Sequence, residues 1–568
     1  MRTTLSHVFS VGLCCLIMAF LVNVVMGQTA ANAQSGKIIH DAEFSILKAQ
    51  NGKRWAKEDK EITAKLAKIR KKNGGKPPNI IYILLDDVGF GEIGMHELSV
   101  IRGYKTPNID AFAKDALSLM RMYTEPSCTP TRVAMMTGRL PTRTGLVDAK
   151  ATLAGEGLWA EEVTLAEMLK EAGYTTSHVG KWHMGDIEEA YAHKQGFMNA
   201  EFPIHQQGQL AIMHADAEDA DVIRGTTPDG GLQTYTLDAH FAVDPSHMVT
   251  GVELRDGKIY EVDLEPSEPW SQKKYREMNE RYQRSALSQL RTLAKQDKPF
   301  FLNYWPLFPL NFPRTDIKKF KTLNGGVIAE TIVEVDGWLG DIIAEVDKLG
   351  IAENTVIVIM GDNGPFMKYA GPTGISDRIY RGAKGDHLEG GVRVNAYVKW
   401  KGVIEPGSYA EDIIHVSDLF TTFARLANAS EEIPTDRIID GLDQSSLLLN
   451  GDTHGRRDYI FVYEGTKLKS VVKNKYKMHL APAGANPILF SHFFDLYRDP
   501  REERPKESIK YGPWAGGQFA NMITRHLAMK KKYPDRELRR GMPYTGIENL
   551  RPETLKLLEV FKASLPQK

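Results

Sequence analysis

Cysteine is almost missing from this chain. There are three in 568 residues, and two of them, Cys14 and Cys15, lie inside an apolar N-terminal run. With that run removed, Cys128 stands alone, and a lone cysteine in an exported chain can form no internal disulfide. Surplus charge is missing too. Lys plus Arg number 72 and Asp plus Glu number 72, so no bulk field of one sign points to nucleic acid as a partner. Beyond residue 26 there is also no apolar run approaching the roughly twenty residues that a membrane-spanning helix needs.

The N-terminus has the form of an export signal. Arg2 precedes the apolar run Val8 to Met26, and Ala31-Asn32-Ala33 supplies small residues for cleavage. Residues 1–33 are read as a signal peptide; a retained membrane anchor is the alternative, and Ser10, Gly12 and Asn23 inside the run weigh against it. The mature chain is then exported, periplasmic or secreted, with no membrane contact after cleavage.

The remaining length exceeds one simple core. Residues 34–76 are rich in Lys, Glu and Ala with little apolar periodicity, which predicts a solvated helical arm ending at Asn73-Gly74-Gly75. Residues 77–450 alternate strands with helices. Asn79–Leu85 and Thr355–Met360 are short, continuously apolar runs of the kind buried on both faces of a parallel sheet. Tyr174–Val179 and Pro299–Trp305 read as further strands. Thr106-Pro107 opens a helix carried through Ile109, Phe112, Ala113, Ala116 and Leu117. Thr164 and Glu167 form a capping box, and a long helix spans about Ile328 to Leu349. This alternation predicts an α/β fold with a large mixed, mostly parallel sheet between helices. Residues 200–290 mostly lack a sustained period and read as loops and short hairpins over the site, up to a helix from Glu277. In residues 451–568 the short strands Tyr459–Tyr463, Leu468–Val472 and Tyr476–Leu480 predict a smaller C-terminal subdomain with an antiparallel sheet, closed by a helix at Glu553–Ala563.

The lone cysteine opens the stretch Cys128-Thr129-Pro130-Thr131-Arg132, followed by Thr137-Gly138-Arg139. Pro130 suits the first turn of a helix and Gly138 its end. Cys128 would stand where exposed N–H groups and the helix dipole favour anions, with Arg132 one turn along the same face. Asp86 and Asp87 follow one buried strand, and Asp362 and Asn363 follow another. Ligand-binding residues of open α/β sheets lie at such carboxyl ends, and an all-oxygen donor set suits Ca²⁺ or Mg²⁺ rather than zinc.

The cysteine stretch resembles the signature of the type I sulfatases, Cys-x-Pro-Ser/Thr-Arg followed at a fixed distance by Thr-Gly-Arg. Gly180-Lys181-Trp182-His183, Arg381-Gly382-Ala383-Lys384 with Glu389–Val394, and the late segment Asp495–Pro500 resemble further blocks of that family. The resemblance implies an alkaline-phosphatase-like fold and hydrolysis of small-molecule sulfate esters. It implies that Cys128 is oxidised to formylglycine (3-oxoalanine) by a separate maturation enzyme, the hydrated aldehyde being the nucleophile. It implies a divalent metal, Ca²⁺ ahead of Mg²⁺, held by Asp86, Asp87, Asp362, Asn363 and the formylglycine oxygen at Cys128. Lys181 and Lys384 would hold the sulfate, with Lys384 also at the leaving oxygen; His183 would bond the formylglycine hydroxyl, and Arg132 would steady negative charge near the nucleophile.

One position departs from the family. Where many members carry a leaving-group histidine after the strand at Phe300, this chain has Asn311, which can bond the substrate oxygen but cannot protonate it. Either Lys384 or His387 takes the role, or the leaving group needs little help. Phenols, with pKa near 10, fit the second case, so aryl sulfates are the expected substrates. His205, in His205-Gln206-Gln207-Gly208-Gln209, sits at a plausible distance for a substrate-facing loop, although a polar surface loop is the slightly favoured reading. Trp182 reads as packing. Two other functions remain open: a phosphonate monoester or phosphodiester hydrolase using the same nucleophile, and an inactive binding protein on the same fold. A hydroxyl nucleophile at Thr129 is less in keeping with the full stretch.

Overall fold

The computed structural model describes residues 37–149, 155–203, 224–226, 232–234, 251–262, 272–307, 327–365, 379–480, 491–505 and 512–552, with isolated positions of a C-terminal helix beyond. The N-terminal apolar run, most of 204–250, and Asn311 and His205 with them, lie outside the described residues.

The central sheet has ten strands. In chain order they are β1 (Asn79–Leu85), β2 (Leu117–Leu119), β3 (Thr175–Gly180), β4 (Asn199–Pro203), β5 (Gly251–Arg255), β6 (Lys258–Val262), β7 (Phe300–Trp305), β8 (Thr355–Gly361), β9 (Ala396–Trp400) and β10 (Tyr409–Ala410). Their spatial order is β6-β5-β4-β3-β7-β1-β8-β9-β2-β10. The inner five, β4-β3-β7-β1-β8, are all parallel, while the hairpin β5-β6 and strand β9 add antiparallel flanks. The expected mixed, mostly parallel sheet is therefore present.

Both faces of this sheet are buried, for the reason the apolar runs suggest. Along β1, Ile80, Tyr82 and Leu84 enter one core, and Ile81, Ile83 and Leu85 enter the other, as the two-residue period of a strand requires. Helices α1 to α6 are Ala42–Lys72, Pro107–Lys114, Cys128–Thr137, Leu165–Glu171, Gln272–Leu293 and Val327–Lys348; α7 is Asp418–Leu426. α3, α4 and α7 cover the first face through residues such as Met135, Leu169 and Phe423. α2, α5 and α6 cover the second through Phe112, Leu290 and Leu339. The result is a helix–sheet–helix sandwich. The helix opened by Thr106-Pro107 stops at Lys114, and Leu117, expected on it, begins β2 instead: the apolar spacing continues across the boundary, but Asp115 caps the helix and the chain turns into the sheet.

Residues 451 onward form a separate antiparallel sheet, β11 (Tyr459–Glu464), β12 (Lys467–Lys473), β13 (Tyr476–His479) and β14 (His492–Asp495), in sequential order. α8 (Gly512–Lys532) packs on one face, where Phe519 and Met522 meet Tyr459, Phe461 and Phe493.

The N-terminal arm corrects its reading as a solvated helix. α1 is helical and ends at Asn73 as expected, but Leu47, Trp55, Ile62 and Leu66 are buried. Leu47 and Trp55 join the core of the C-terminal sheet, while Ile62 and Leu66 join that of the large sheet. The stripe is hard to read because charged side chains share it. Glu58 is 4% exposed yet bonded to His454 Nδ1 at 2.9 Å.

Candidate active site

Because β1, β3 and β8 run parallel, their carboxyl ends meet at one edge of the sheet. Asp86 and Asp87 leave β1, Lys181 leaves β3, and Asp362 and Asn363 leave β8; all five are buried. The β1 and β8 ends are laced together. Asp362 N–H donates to Leu85 O at 2.9 Å, Asp87 N–H donates to Asp362 Oδ1 at 2.9 Å, and Asn363 Nδ2 donates to Asp87 Oδ1 at 2.7 Å. Asp87 takes φ +59 to fold its carboxylate back into this edge.

Cys128 enters from α3. Ser127 is the extended residue before the helix, Cys128 is its first residue, and Gly138 ends it in the left-handed conformation, as Pro130 and Gly138 indicate. The whole helix is buried. Single ligand atoms of Asp86, Cys128 and Asp362 all lie within 4.8 Å of one another.

Three cations close around the acids. Arg132, one turn along α3 from Cys128 and fully buried, donates from Nη2 to Asp86 Oδ1 at 3.0 Å and to Asp362 Oδ2 at 2.8 Å, and from Nη1 to Lys181 O at 2.9 Å. Its guanidinium lies 4.8 Å from the Trp305 ring centroid. Lys181 Nζ meets both Asp86 oxygens, at 2.8 and 3.0 Å. Lys384 Nζ reaches Asp87 at 2.9 Å. Lys181 is aimed by Gly180, at φ +101; a Cβ there would come within 2.0 Å of Trp305 O. His183 is buried at φ +63. Burial, then the neighbouring Lys181 and Arg132 charges, holds its imidazole well below the ordinary histidine range.

The electrostatics are those of crowded carboxylates. Burial alone would push Asp86 up, but Lys181 and Arg132 hold it well below its ordinary value. Asp362 goes the other way, to about 7, because burial and the adjacent Asp86 outweigh Arg132. Burial likewise raises Asp87, against the pull of Lys384. Asn363 Oδ1 is buried with no hydrogen-bond donor among the described residues, although an unpaired buried acceptor is costly. Three crowded carboxylates and the Asn363 amide oxygen form an oxygen-only donor set. That set fits a hard divalent cation such as Ca²⁺ or Mg²⁺.

Of the residues singled out from sequence, Asp86, Asp87, Cys128, Arg132, Lys181, Lys384, Asp362 and Asn363 thus share one buried cluster, and His183 feels the charges of Lys181, Arg132 and Asp86. Trp182 packs, as expected: it stacks on Trp305 at 6.2 Å and donates from Nε1 to Ala190 O. Sequence reading misses what holds the Lys384 loop. Glu389 N–H donates to Glu502 Oε2 at 2.7 Å, Lys477 Nζ bridges Glu389 and Glu502, and His387 Nδ1 lies 2.6 Å from Glu464 Oε1. Glu502 falls two residues after Pro500 of the late segment, and its Asp-Pro-x-Glu spelling is the one signal that could have drawn attention to it.

A family model described as Sulfatase matches residues 78–429. Steryl-sulfatase of Rattus norvegicus is 30% identical over 76% of this chain and 85% of its own length. Arylsulfatase A of Homo sapiens is 30% identical over 75% of this chain and 83% of its own. Among solved structures, PsFucS1 sulfatase from Pseudoalteromonas sp. superposes with a TM-score of 0.71 at 26% identity, covering 85% of this chain and 96% of that one.

Proposed function

This chain belongs to the sulfatase family and is a sulfuric ester hydrolase, and from that premise we propose that it cleaves aryl or similarly activated sulfate esters at the cluster around Cys128. The observation that carries the reading is the convergence of Asp86, Asp362 and Cys128 within 4.8 Å, with Arg132, Lys181 and Lys384 bonded to the acids around them. Asp86, Asp87, Asp362 and the Oδ1 of Asn363 would hold a divalent cation, Ca²⁺ ahead of Mg²⁺. Such a cation supplies Lewis-acid polarisation of a sulfonate oxygen and offsets negative charge at the nucleophile. Cys128, converted to formylglycine by a maturation enzyme, supplies a hydrated aldehyde, a nucleophile that can regenerate by elimination where a serine would stay sulfated.

The chain's own groups divide the remaining work. Lys181 and Lys384 hold sulfonate oxygens, and Lys384 stays protonated beside the leaving oxygen: burial alone would favour its neutral form, but Asp87 and its neighbours push it well above the ordinary lysine range. An ammonium kept that firmly is a good electrostatic clamp and a poor proton donor. With Asn311 in place of an acid, this favours leaving groups of low basicity. His183, held neutral, can accept or donate one hydrogen bond at the nucleophile without adding charge. Arg132 keeps Asp86 and Asp362 oriented, and the burial of these three side chains keeps bulk water from them.

Peptide mass spectrometry across Cys128, on protein from a host that carries the maturation enzyme, tests the nucleophile: aldehyde supports the reading, and unmodified thiol in active protein sinks it. Parallel assays with an aryl sulfate, an unactivated alkyl sulfate and a phenyl phosphonate test the substrate. The aryl sulfate should lead; comparable turnover of the alkyl ester overturns the leaving-group argument, and a leading phosphonate overturns sulfate as substrate.

A further inference from the structure

Trp305 ends β7, the strand that lies between β1 and β3. Those neighbours deliver Asp86 and Lys181, so Trp305 stands in the middle of the sheet edge that carries the Cys128 cluster. Its side chain is fully buried. Packing alone does not account for it, because the indole Nε1–H has no acceptor among the described residues. A phenylalanine or leucine would avoid that cost.

What the indole offers instead is a face. The Arg132 guanidinium lies over the ring, 4.8 Å from its centroid. Among the described residues, the hydrogen bonds of Arg132 all leave from Nη1 and Nη2, to Asp86, Asp362 and Lys181 O, while its Nε is buried without an acceptor. The bonds therefore hold the guanidinium by its outer end, and the ring supports its flat side. Such a cation–π contact is strongest where water is excluded, as it is here. The indole is itself kept from tilting: Trp182 stacks on it at 6.2 Å with the planes 15° apart, and Tyr82 and His178 meet it edge-on at 6.0 and 5.2 Å.

The backbone of the same residue sets a second cation. Trp305 pairs with Gly180 across β7 and β3, and its carbonyl accepts Lys181 N–H at 2.7 Å. Lys181 O in turn accepts from Arg132 Nη1 at 2.9 Å. Ring, guanidinium, Lys181 and carbonyl thus form a closed circuit that refers both cations to one residue.

We propose that Trp305 is a positioning residue for sulfate ester cleavage, its indole face fixing Arg132 against Asp86 and Asp362 and its carbonyl fixing Lys181. The proposal rests on the reading that the reaction takes place at the Cys128 cluster. Trp305 acts through these two cations.

The test replaces Trp305, by nonsense suppression in the full mature chain, with mono-, di-, tri- and tetrafluorotryptophan. Fluorine draws charge from the ring face and weakens its hold on a cation without opening a cavity. Turnover of a small aryl sulfate is divided by the fraction of Cys128 found as aldehyde by peptide mass. At each step kcat should fall, by about tenfold in all, with KM unchanged. In Arg132→Gln, which removes the cation, the same series should leave kcat flat at its lowered value. Trp305→Phe, which keeps a smaller face, should retain more kcat than Trp305→Leu, and this pair decides the matter where Arg132→Gln fails to fold. A flat series beside a damaging Arg132→Gln, or equal steps with and without the Arg132 cation, overturns the proposal alone. Wild-type kcat in Arg132→Gln overturns the cluster reading and the proposal with it.

Discussion

Lys477 Nζ lies 3.0 Å from Glu502 Oε1, and neither side chain has any exposure to solvent. The same ammonium is 3.1 Å from Glu389 Oε1, and Glu389 opens the turn that packs against Arg381 and Gly382 in the Lys384 loop. The C-terminal sheet therefore reaches the active site through a buried ion triad: β13 supplies the cation, and the segment after β14 and the Lys384 loop supply the acids.

Removing the cation leaves two buried carboxylates facing each other. Lys477→Met should cost about 3–5 kcal/mol of unfolding free energy, the range for breaking a buried ion pair from one side. Adding Glu502→Gln should recover part of it, since the amide keeps a group beside Glu389 N–H. Chemical denaturation of the two single variants and the double variant measures the coupling. If the triad positions Lys384, folded Lys477→Met should lose kcat rather than gain KM; an unchanged kcat would falsify that link.

Gly180 sets the direction of Lys181. Its φ of +101 and the 2.0 Å approach of a Cβ to Trp305 O mean that Gly180→Ala must shift either β3 or β7 at its carboxyl end. The expected outcome is loss of about 10²–10³ in kcat, the cost of misplacing one charge-stabilising group, with a smaller change in melting temperature than a core deletion gives. Steady-state kinetics beside a melting curve checks it; wild-type rates would mean that Lys181 needs no such aim.

How much of this is legible in the sequence depends on whether the signal is local. β1 and β8 are legible because both faces are buried, so every residue after the first is non-charged and almost all are apolar, and the run ends abruptly in acids. Cys128, Pro130 and Gly138 mark the ends of α3 through local backbone preferences. The docking of α1 is not legible: Glu58 and Asp59 on its packed side pair with His454 and Arg456, nearly 400 positions away, and long-range pairing leaves no local pattern. The Lys477–Glu389–Glu502 triad is hidden for the same reason, since a lysine in a short strand ordinarily faces water.

Divalent metal should stabilise the fold. The carboxylates of Asp86, Asp87 and Asp362 crowd one another, and a cation bound only in the folded state adds RT ln(1 + [L]/Kd), or about 2.7 kcal/mol at a hundredfold excess over Kd. Chelation should therefore lower the melting temperature, and Ca²⁺ should restore it. Asn363→Leu, which deletes the unpaired amide oxygen, should shrink that response. A melting temperature indifferent to both chelator and Ca²⁺ would remove the metal from the cluster.

His178 gives the fold a separate acid limit. Its ring is walled in by Trp182, Phe197 and Trp305 at 5.2 Å each, and burial lowers its pKa from 6.5 to about 3, against a bond to Gly180 O. With Nε2–H donating to Gly180 O at 3.1 Å and Nδ1 accepting from Asn303 Nδ2 at 3.4 Å, the folded ring is neutral. The unfolded chain takes up a proton below pH 6.5 and the folded chain does not until about 3. The stability tied to this group is thus complete above pH 6.5 and falls by up to about 1.4 kcal/mol per unit as pH drops toward 3. His178→Gln keeps a donor within reach of Gly180 O and cannot titrate. It should be less stable than wild type at pH 7.5, where packing is lost, and should close the gap steadily between pH 6.5 and 4. Urea midpoints across that range measure the difference; parallel curves for the two proteins would show that His178 carries no such linkage.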